Sequence, residues 1–202
     1  KLNTVYVGGG TPTTLTASQL DRLLSCIEEK FDFGDLKELT VEAGRPDSVT
    51  PEKFQVLKEH QVSRISINPQ TMNQKTLDLI GRKHTAEEIK EAFRMAREAG
   101  FDNINMDLIV GLPGEHIEDV RHTMEELRAL DPDSITVHSL AIKRAARLKL
   151  FRDAYEEIGL ENSQEIMDLT YRYCTEQGAF PYYLYRQKNM KGNFENVGYA
   201  KV

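Results

Sequence analysis

The sequence predicts an α/β protein built from repeated βα units around a parallel sheet. Short runs rich in β-branched residues alternate with long amphipathic segments. The runs recur at intervals of roughly 30 residues, which is the length of one βα unit. Repeated βα units require right-handed crossovers and therefore a parallel sheet. The units can form an open doubly wound sheet or a partial barrel, which differ in strand order, and the residues alone leave both open.

The individual elements follow from residue type and spacing. Strands are predicted over residues 4–7, 38–42, 62–67, 103–110, 134–139 and 182–185. Helices are predicted to begin at Thr16, Thr50 and Thr85, whose side chains can cap the free N–H groups of a first turn. Further amphipathic segments cover residues 117–127 and 166–173. Because their apolar residues recur at helical spacing, we interpret these stripes as core rather than as ligand surfaces.

Composition excludes several classes of protein. Of the 202 residues, 40% are hydrophobic and 29% charged, as in ordinary globular proteins. No apolar run approaches the roughly 18 residues that cross a bilayer, and no secretory leader is visible, so we expect a cytoplasmic protein with no membrane partner. The net charge of −6 disfavours nucleic-acid binding. Cys26 and Cys174 are too far apart in sequence to suggest a disulfide framework or a zinc site.

The first predicted strand is followed by a glycine run. Gly8, Gly9 and Gly10 precede Thr11 and Pro12. Three glycines let a ligand approach the backbone closely and expose several amides at once. The run is neither a P-loop nor a dinucleotide-binding fingerprint, because the required lysine and the required glycine spacing are missing. A tight turn needs fewer glycines, so we favour a functional interpretation.

Polar residues also mark the ends of the second and third strands. Glu42 ends the second strand, where a carboxylate can accept both hydroxyls of a ribose, although a surface carboxylate is an equal alternative. On the third strand, alternation places Arg64, Ser66 and Asn68 on one face. A barrel interior would hold such residues only for a ligand or a polar network. Arg82 follows shortly after and is, by itself, more often a surface charge.

The fourth and fifth strands carry one ionisable residue each. Asp107 is embedded in an apolar run and is expected to be partly buried, as a hydrogen-bond hub or a ligand contact. His138 is interpreted as a core histidine with satisfied hydrogen bonds. His116 and His122 lie on different faces of one helix, so no metal site is predicted there.

Taken together, these stretches resemble a known family. The motifs are Gly8-Gly9-Gly10-Thr11-Pro12, Arg64-x-Ser66-x-x-x-Gln70, Ile80-Gly81-Arg82-x-His84 and Met106-Asp107-Leu108-Ile109-x-Gly111-Leu112-Pro113-Gly114. In this order they resemble radical S-adenosylmethionine (SAM) enzymes of the oxygen-independent coproporphyrinogen III oxidase family. Residues 185–190 and 192–199 resemble its coproporphyrinogen dehydrogenase branch. The resemblance covers essentially the whole chain.

The resemblance implies a fold and a reaction. The fold is a partial (β/α)₆ TIM-like barrel of the radical SAM type, truncated at its first strand. The cofactors are SAM and a [4Fe–4S] cluster, and the SAM-derived 5′-deoxyadenosyl radical removes hydrogen from propionate groups of coproporphyrinogen III. Loss of CO₂ and an electron leaves vinyl groups, giving protoporphyrinogen IX. An unidentified electron donor reduces the cluster.

The same resemblance assigns roles to residues of this chain. The backbone of Gly8, Gly9, Gly10 and Thr11 holds the methionine end of SAM, and Glu42 holds its ribose. Three further polar side chains complete the pocket, and Ile109 packs near the adenine. These three are Gln70, Arg82 and Asp107. Arg82 offers its charge to the SAM carboxylate. No catalytic residue or metal ligand is assigned in this chain.

The sequence departs from the family pattern in two places. Asn68 and Pro69 stand where many relatives carry a glycine before the glutamine, which affects local backbone geometry. The cluster-binding Cys-x₃-Cys-x₂-Cys loop is missing, and neither Cys26 nor Cys174 can replace it. We therefore expect a fragment, inactive alone, whose cluster segment precedes residue 1. It forms one domain over residues 1–202, with SAM-binding βα units over 1–140 and the last unit and start of the C-terminal region over 141–202.

Two alternatives remain open. A haem chaperone related to these oxidases would bind and transfer haem, and a non-redox SAM-binding barrel would lack cluster chemistry altogether. Among basic residues, Arg144 and Arg147 are candidates for contacts with substrate propionates, because Arg binds carboxylates bidentately.

Overall fold

The computed structural model describes residues 1–140, 162–185 and 194–201. The strands are β1 (Thr4–Val7), β2 (Glu38–Glu42), β3 (Arg64–Gln70), β4 (Ile104–Val110), β5 (Ser134–Ser139), β6 (Ala179–Tyr185) and β7 (Asn196–Lys201). The helices are α1 (Ala17–Lys30), α2 (Pro51–Glu59), α3 (Gln74–Leu79), α4 (Ala86–Glu98), α5 (Ile117–Leu130) and α6 (Gln164–Glu176). None of the described helices is long and apolar enough to cross a membrane.

The strands are hydrogen-bonded in the order β1-β2-β3-β4-β5-β7-β6, and the chain divides into two compact units. The first unit comprises residues 1–68 and 87–106, and the second comprises residues 69–86 and 107–202. The prediction of a single domain stays a prediction.

The first unit has the predicted parallel arrangement. β1 pairs with β2, and β2 with β3, in parallel register, with Val41 opposite Ile65. Val41 and Ile65 are fully buried, whereas Glu42 lies on the other, polar face of its strand. The sheet therefore separates an apolar face, which packs into the core, from a polar face that can meet a ligand.

The second unit departs from the predicted parallel sheet. β7 pairs antiparallel with both β5 and β6. Because β7 is antiparallel to both, β5 and β6 run in the same direction, as expected for strands joined by a crossover helix, and the prediction of an all-parallel sheet is wrong at β7. β7 was not predicted, since Gly198 interrupts its short apolar pattern. The six-residue helix α3 was also missed, because it is too short to show helical periodicity.

Two predicted helix starts are confirmed in detail. The hydroxyl oxygen of Thr16 accepts from the Gln19 N–H at 3.2 Å, and Gln19 Oε1 accepts from the Thr16 N–H at 2.9 Å, which completes a capping box. Thr50 Oγ1 accepts from the Lys53 N–H at 3.4 Å, and Pro51 occupies the first turn of α2. Both caps lie beside loops that follow β1 and β2, so they fix where those loops end.

Lys53 joins these two loops in the first unit. Its ammonium donates to the Thr13 carbonyl at 2.7 Å and to the Ser48 carbonyl at 2.6 Å. The hydroxyl oxygens of Thr13 and Ser48 lie 2.7 Å apart, within hydrogen-bond distance. Thr13 is fully buried, so Lys53 satisfies a carbonyl that water does not reach. Because Thr13 follows the glycine run and Ser48 follows Glu42, this contact sets the spacing of the two loops.

We predict that Lys53→Met lowers the free energy of unfolding by about 1.5 kcal/mol or more, because charge-assisted hydrogen bonds to two carbonyls are lost. Urea denaturation of this chain followed by circular dichroism measures the change. Lys90→Met is the matched control, since Lys90 pairs with Glu87 on one helix surface and such pairs contribute below about 0.5 kcal/mol. Equal losses for the two variants would contradict the role of Lys53.

Candidate functional site

The polar face of the first unit centres on Glu42. Its carboxylate accepts a hydrogen bond from the Gly9 N–H at 3.0 Å and a short one from the Tyr6 hydroxyl. Gly8 lies directly beneath, because a Cβ atom built there would meet Glu42 Cδ at 3.0 Å and Tyr6 Cε1 at 2.4 Å. Only a glycine at position 8 therefore leaves room for the Glu42 side chain to reach across to β1.

The glycine run leaves open space for a ligand. Gly9 and Gly10 have φ angles of 79° and 56°, and no atom lies within 4 Å of a Cβ built on either. Thr11 also has a positive φ of 57°, and its carbonyl accepts from the Thr14 N–H and hydroxyl, at 3.0 Å and 2.8 Å. Left-handed backbone at successive positions turns the amides outward, as in backbone sites for anionic groups. The loop therefore has room and backbone groups for an anionic part of a ligand.

Three of the other predicted site residues lie in the second unit. Gln70 ends β3, is 9% exposed and has a φ of 68°, an unusual conformation for a residue that is not glycine. Arg82 lies in the turn after α3, where its N–H donates to the Leu77 carbonyl at 2.9 Å and its side chain is exposed. Ile109 is half-buried on β4. The backbone at Gln70 is strained in a way that often accompanies function.

Asp107 and His138 form a pair in the second unit. Asp107 has the predicted partial burial, with 22% of its side chain exposed, and lies on the same face of β4 as Ile109. His138 Nε2 lies 3.9 Å from Asp107 Oδ2 and its side chain is 38% exposed. The interpretation of His138 as a core histidine is therefore wrong, because Val137 rather than His138 points into the core. Alternation along β5 could have placed His138 beside Asp107.

A buried carboxylate that sequence reasoning missed lies just after β4. Glu115 is 2% exposed, and its carboxylate accepts from the Thr71 hydroxyl at 2.5 Å and from Asn73 Nδ2 at 2.9 Å. The Thr123 hydroxyl accepts from the Met72 N–H at 3.1 Å. Burial raises the pKa of Glu115, and its hydrogen bonds lower the pKa by less. The network fixes the segment that follows Gln70.

The residues of this chain do not fit an iron–sulfur cluster. Among the described residues no group of three or more His, Cys, Asp or Glu side chains could hold a metal ion. The chain contains only two cysteines: Cys26 is exposed, and Cys174 is buried, which raises the pKa of its thiol to about 12. Because clusters are held by clustered thiolates, the cluster ligands are not supplied by this chain.

We predict that Glu115→Ala lowers the free energy of unfolding by about 1–3 kcal/mol, because buried donors of Thr71 and Asn73 lose their acceptor. Urea denaturation of this chain measures the change. Glu118→Ala is the control, since exposed Glu118 pairs with Arg121 on one helix surface and its loss should stay below about 0.5 kcal/mol. Comparable losses for the two variants would contradict the network.

The raised pKa of Glu115 also predicts a pH dependence. The folded chain holds this proton to higher pH than the unfolded chain does, so the contribution of Glu115 to stability falls as pH rises above about 4.3. The stability of wild type relative to Glu115→Gln should therefore fall as the pH is raised from about 4.3. A difference that rises over this range would contradict the assignment.

Comparisons with known proteins agree with the predicted fold and cofactors. The chain is 47% identical over 201 residues to the oxygen-independent coproporphyrinogen-III oxidase-like protein HemZ of Bacillus subtilis, covering 99% of this chain and 40% of HemZ. It is 38% identical to the haem chaperone HemW of Lactococcus lactis, covering 84% of this chain and 46% of HemW. The chain thus spans less than half the length of these relatives.

The structure resembles coproporphyrinogen III oxidase (HemN) of Escherichia coli, a radical SAM enzyme, with a TM-score of 0.77 and 26% identity. The match covers 99% of this chain and 43% of that protein. This confirms the predicted fold class, a partial TIM-like barrel of the radical SAM type, and supports SAM and a [4Fe–4S] cluster as its cofactors. Residues 1–127 match the profile of the Radical SAM superfamily, and the chain belongs to this superfamily.

Proposed function

We propose that this chain is the SAM-binding part of an oxygen-independent coproporphyrinogen dehydrogenase. In the full-length protein each reacting propionate of coproporphyrinogen III would lose a hydrogen atom, CO₂ and one electron, leaving a vinyl group, and the product would be protoporphyrinogen IX. The observation that carries the proposal is the 47% identity to HemZ over 99% of this chain. The likeness to HemN, with a TM-score of 0.77, supports the same chemistry.

In the first unit we assign the methionine end and the ribose of SAM to adjacent groups. Gly8, Gly9, Gly10 and Thr11 would bind the methionine end through backbone amides and carbonyls, and the space beside Gly9 and Gly10 supports this. Glu42 would accept hydrogen bonds from the ribose hydroxyls. Each carboxylate oxygen can accept two hydrogen bonds, so Glu42 keeps free acceptor capacity beyond its bonds to Gly9 and to the Tyr6 hydroxyl.

In the second unit the remaining assignments rest on the family resemblance and on local geometry. Gln70 and Asp107 would donate to and accept from polar groups of SAM, and both are largely shielded from water. Arg82, which is exposed, would pair with the carboxylate of the methionine end. Ile109, half-buried on the same face of β4 as Asp107, would pack against the adenine.

When bound, SAM and a [4Fe–4S] cluster would together supply the one-electron radical chemistry by which a hydrogen atom is removed from a substrate carbon. The residues of this chain orient SAM and shield it from water, and their hydrogen bonds fix its ribose and methionine ends. The cluster ligands would come from the rest of the protein, together with the contact to an electron donor. The candidate propionate contacts, Arg144 and Arg147, lie outside the described residues.

A haem chaperone is the second candidate function. The 38% identity to HemW over 84% of this chain favours it, because the match extends over most of the chain. The match to HemZ is both longer and closer, so the dehydrogenase remains the main proposal. A non-redox SAM-binding barrel would follow only if the full-length protein lacked cluster cysteines.

Turnover by the full-length protein tests the proposal. The protein is reconstituted anaerobically with iron and sulfide and then given SAM, a reductant and coproporphyrinogen III. We expect protoporphyrin, after oxidation of the products, together with 5′-deoxyadenosine, both separated by chromatography. Formation of 5′-deoxyadenosine without a porphyrin product would contradict the proposed substrate. Stable haem binding without turnover would favour the chaperone.

The ribose assignment is tested separately from turnover. We predict that Glu42→Gln in the full-length protein weakens binding of S-adenosylhomocysteine at least tenfold, roughly the value of a lost hydrogen bond to a charged group. Isothermal titration calorimetry measures the affinity. Glu38→Gln is the matched control, because Glu38 lies at the other end of β2, where its carboxylate accepts a hydrogen bond from the Thr40 hydroxyl at 2.8 Å. Equal affinity of the Glu42→Gln variant and wild type would rule out the assignment.

A further inference from the structure

The second unit carries a row of exposed tyrosines on β6, which we call the tyrosine surface. Its members Tyr182, Tyr183 and Tyr185 are 58%, 49% and 47% exposed. The ring centroids of Tyr182 and Tyr183 are 6.5 Å apart. Those of Tyr183 and Tyr185 are also 6.5 Å apart, and these two ring planes are inclined by only 17°. Large aromatic side chains are mostly buried in folded proteins, so a contiguous row of exposed rings indicates an interaction site.

Strand register places the tyrosine surface on the face of the sheet that carries Asp107. Tyr183 is the register partner of Gly198 on β7, and Gly198 is the register partner of Thr136 on β5, so all three positions share one face. His138 follows two positions after Thr136 and therefore lies on that face as well. Its Nε2 atom is 3.9 Å from Asp107 Oδ2. The tyrosine surface thus shares a face with a residue that is a proposed SAM contact.

A glycine gives the tyrosine surface its extent. A Cβ atom built at Gly198 would meet Tyr182 Cε1 at 3.0 Å and Tyr183 Cβ at 3.2 Å. The Tyr182 ring therefore lies over β7 and extends the surface from β6 towards β5. In the first unit Gly44 makes room for Asn68 in the same way, because a Cβ built at Gly44 would meet Asn68 Nδ2 at 2.9 Å. In both places the missing side chain lets a residue of the neighbouring strand lie across the sheet.

The edge of β6 is protected against pairing with a further strand. Within the described residues β6 is the last strand of the sheet. Pro181 has no backbone N–H to donate, and the pairing with β7 shifts in register between Pro181 and Tyr183. Prolines and bulges are means by which natural edge strands avoid pairing with another chain. The exposed face of the strand, rather than its edge, is therefore the part suited to binding.

We infer that the tyrosine surface binds the pyrrole rings of coproporphyrinogen III. The inference rests on the proposed dehydrogenase function and names substrate-binding residues for it. Aromatic rings attract one another in offset-stacked or edge-to-face arrangements with centroids about 4.5–7 Å apart. Because the three tyrosine rings stand at intervals of 6.5 Å, a ligand of several linked rings contacts all of them at once. A tetrapyrrole bound there lies on the same face as Asp107, which is where the reacting propionate needs to be.

Steady-state kinetics of the full-length protein with coproporphyrinogen III test the inference. One double variant, Tyr183→Leu with Tyr185→Leu, removes two rings, and the other, Tyr183→Phe with Tyr185→Phe, keeps them. We expect the leucine variant to raise KM for coproporphyrinogen III about tenfold and the phenylalanine variant to raise it about twofold or less, because stacking requires the ring and not the hydroxyl. In both variants kcat and the affinity for S-adenosylhomocysteine should change less than about twofold.

Tyr171→Leu is the matched control. Tyr171 on α6 is 50% exposed, close to the value for Tyr183, but its ring packs against Tyr199 on the other face of the sheet. Its removal should leave KM for coproporphyrinogen III unchanged. An equal rise in KM for Tyr171→Leu would overturn the inference. So would a leucine double variant that loses affinity for S-adenosylhomocysteine together with the rise in KM, because that result shows a general structural effect.

The remaining outcomes distinguish this inference from the proposed function. If wild type forms protoporphyrin and the leucine double variant keeps the wild-type KM, the substrate surface is wrong and the dehydrogenase stands. If sedimentation shows that wild type self-associates and the leucine double variant does not, the tyrosine surface binds a second copy and the inference is overturned. Haem binding by wild type without any turnover would overturn both.

Discussion

The arrangement of the first unit depends on the Glu42 carboxylate, which reaches over Gly8 to the Tyr6 hydroxyl and the Gly9 N–H. These contacts join the end of β2 to the end of β1 on the polar face of the sheet. Because the backbone beneath has no side chain, the carboxylate lies flat against the strand and keeps acceptor capacity for a ligand. The Gly9 N–H is the point at which this side chain contacts the backbone of the glycine run.

Buried polar contacts in each unit support the loops that carry candidate residues. In the first unit Lys53 bonds the carbonyls of Thr13 and Ser48 and so joins the two loops on either side of Glu42. In the second unit Glu115 and its donors hold the segment after Gln70. These groups are not expected to touch a ligand. They satisfy backbone and side-chain groups that water does not reach, which keeps the loops in one conformation.

Local patterns predicted much of the fold and less of the site. The Thr16 capping box and the first two strands were predictable because their signals lie within a few residues. β7 and its antiparallel pairing were not, because strand pairing joins residues far apart in sequence. The same limit determines which parts of the candidate site could be predicted from the sequence. Glu42 and the glycine run are visible as strand ends, whereas the Glu115 network joins positions more than 40 residues apart.

The close approach of Gly44 and Asn68 constrains how this sheet can evolve. A side chain at position 44 would collide with the Asn68 amide, whereas position 68 can shrink without a clash at position 44. A Cβ at position 44 would therefore require the Asn68 amide to move or to be lost. Homologues with a larger residue at 44 should carry a smaller residue at 68 or an Asn68 side chain in another conformation. The distance of 2.9 Å between a Cβ built at position 44 and Asn68 Nδ2 therefore couples the residues that these two positions can carry.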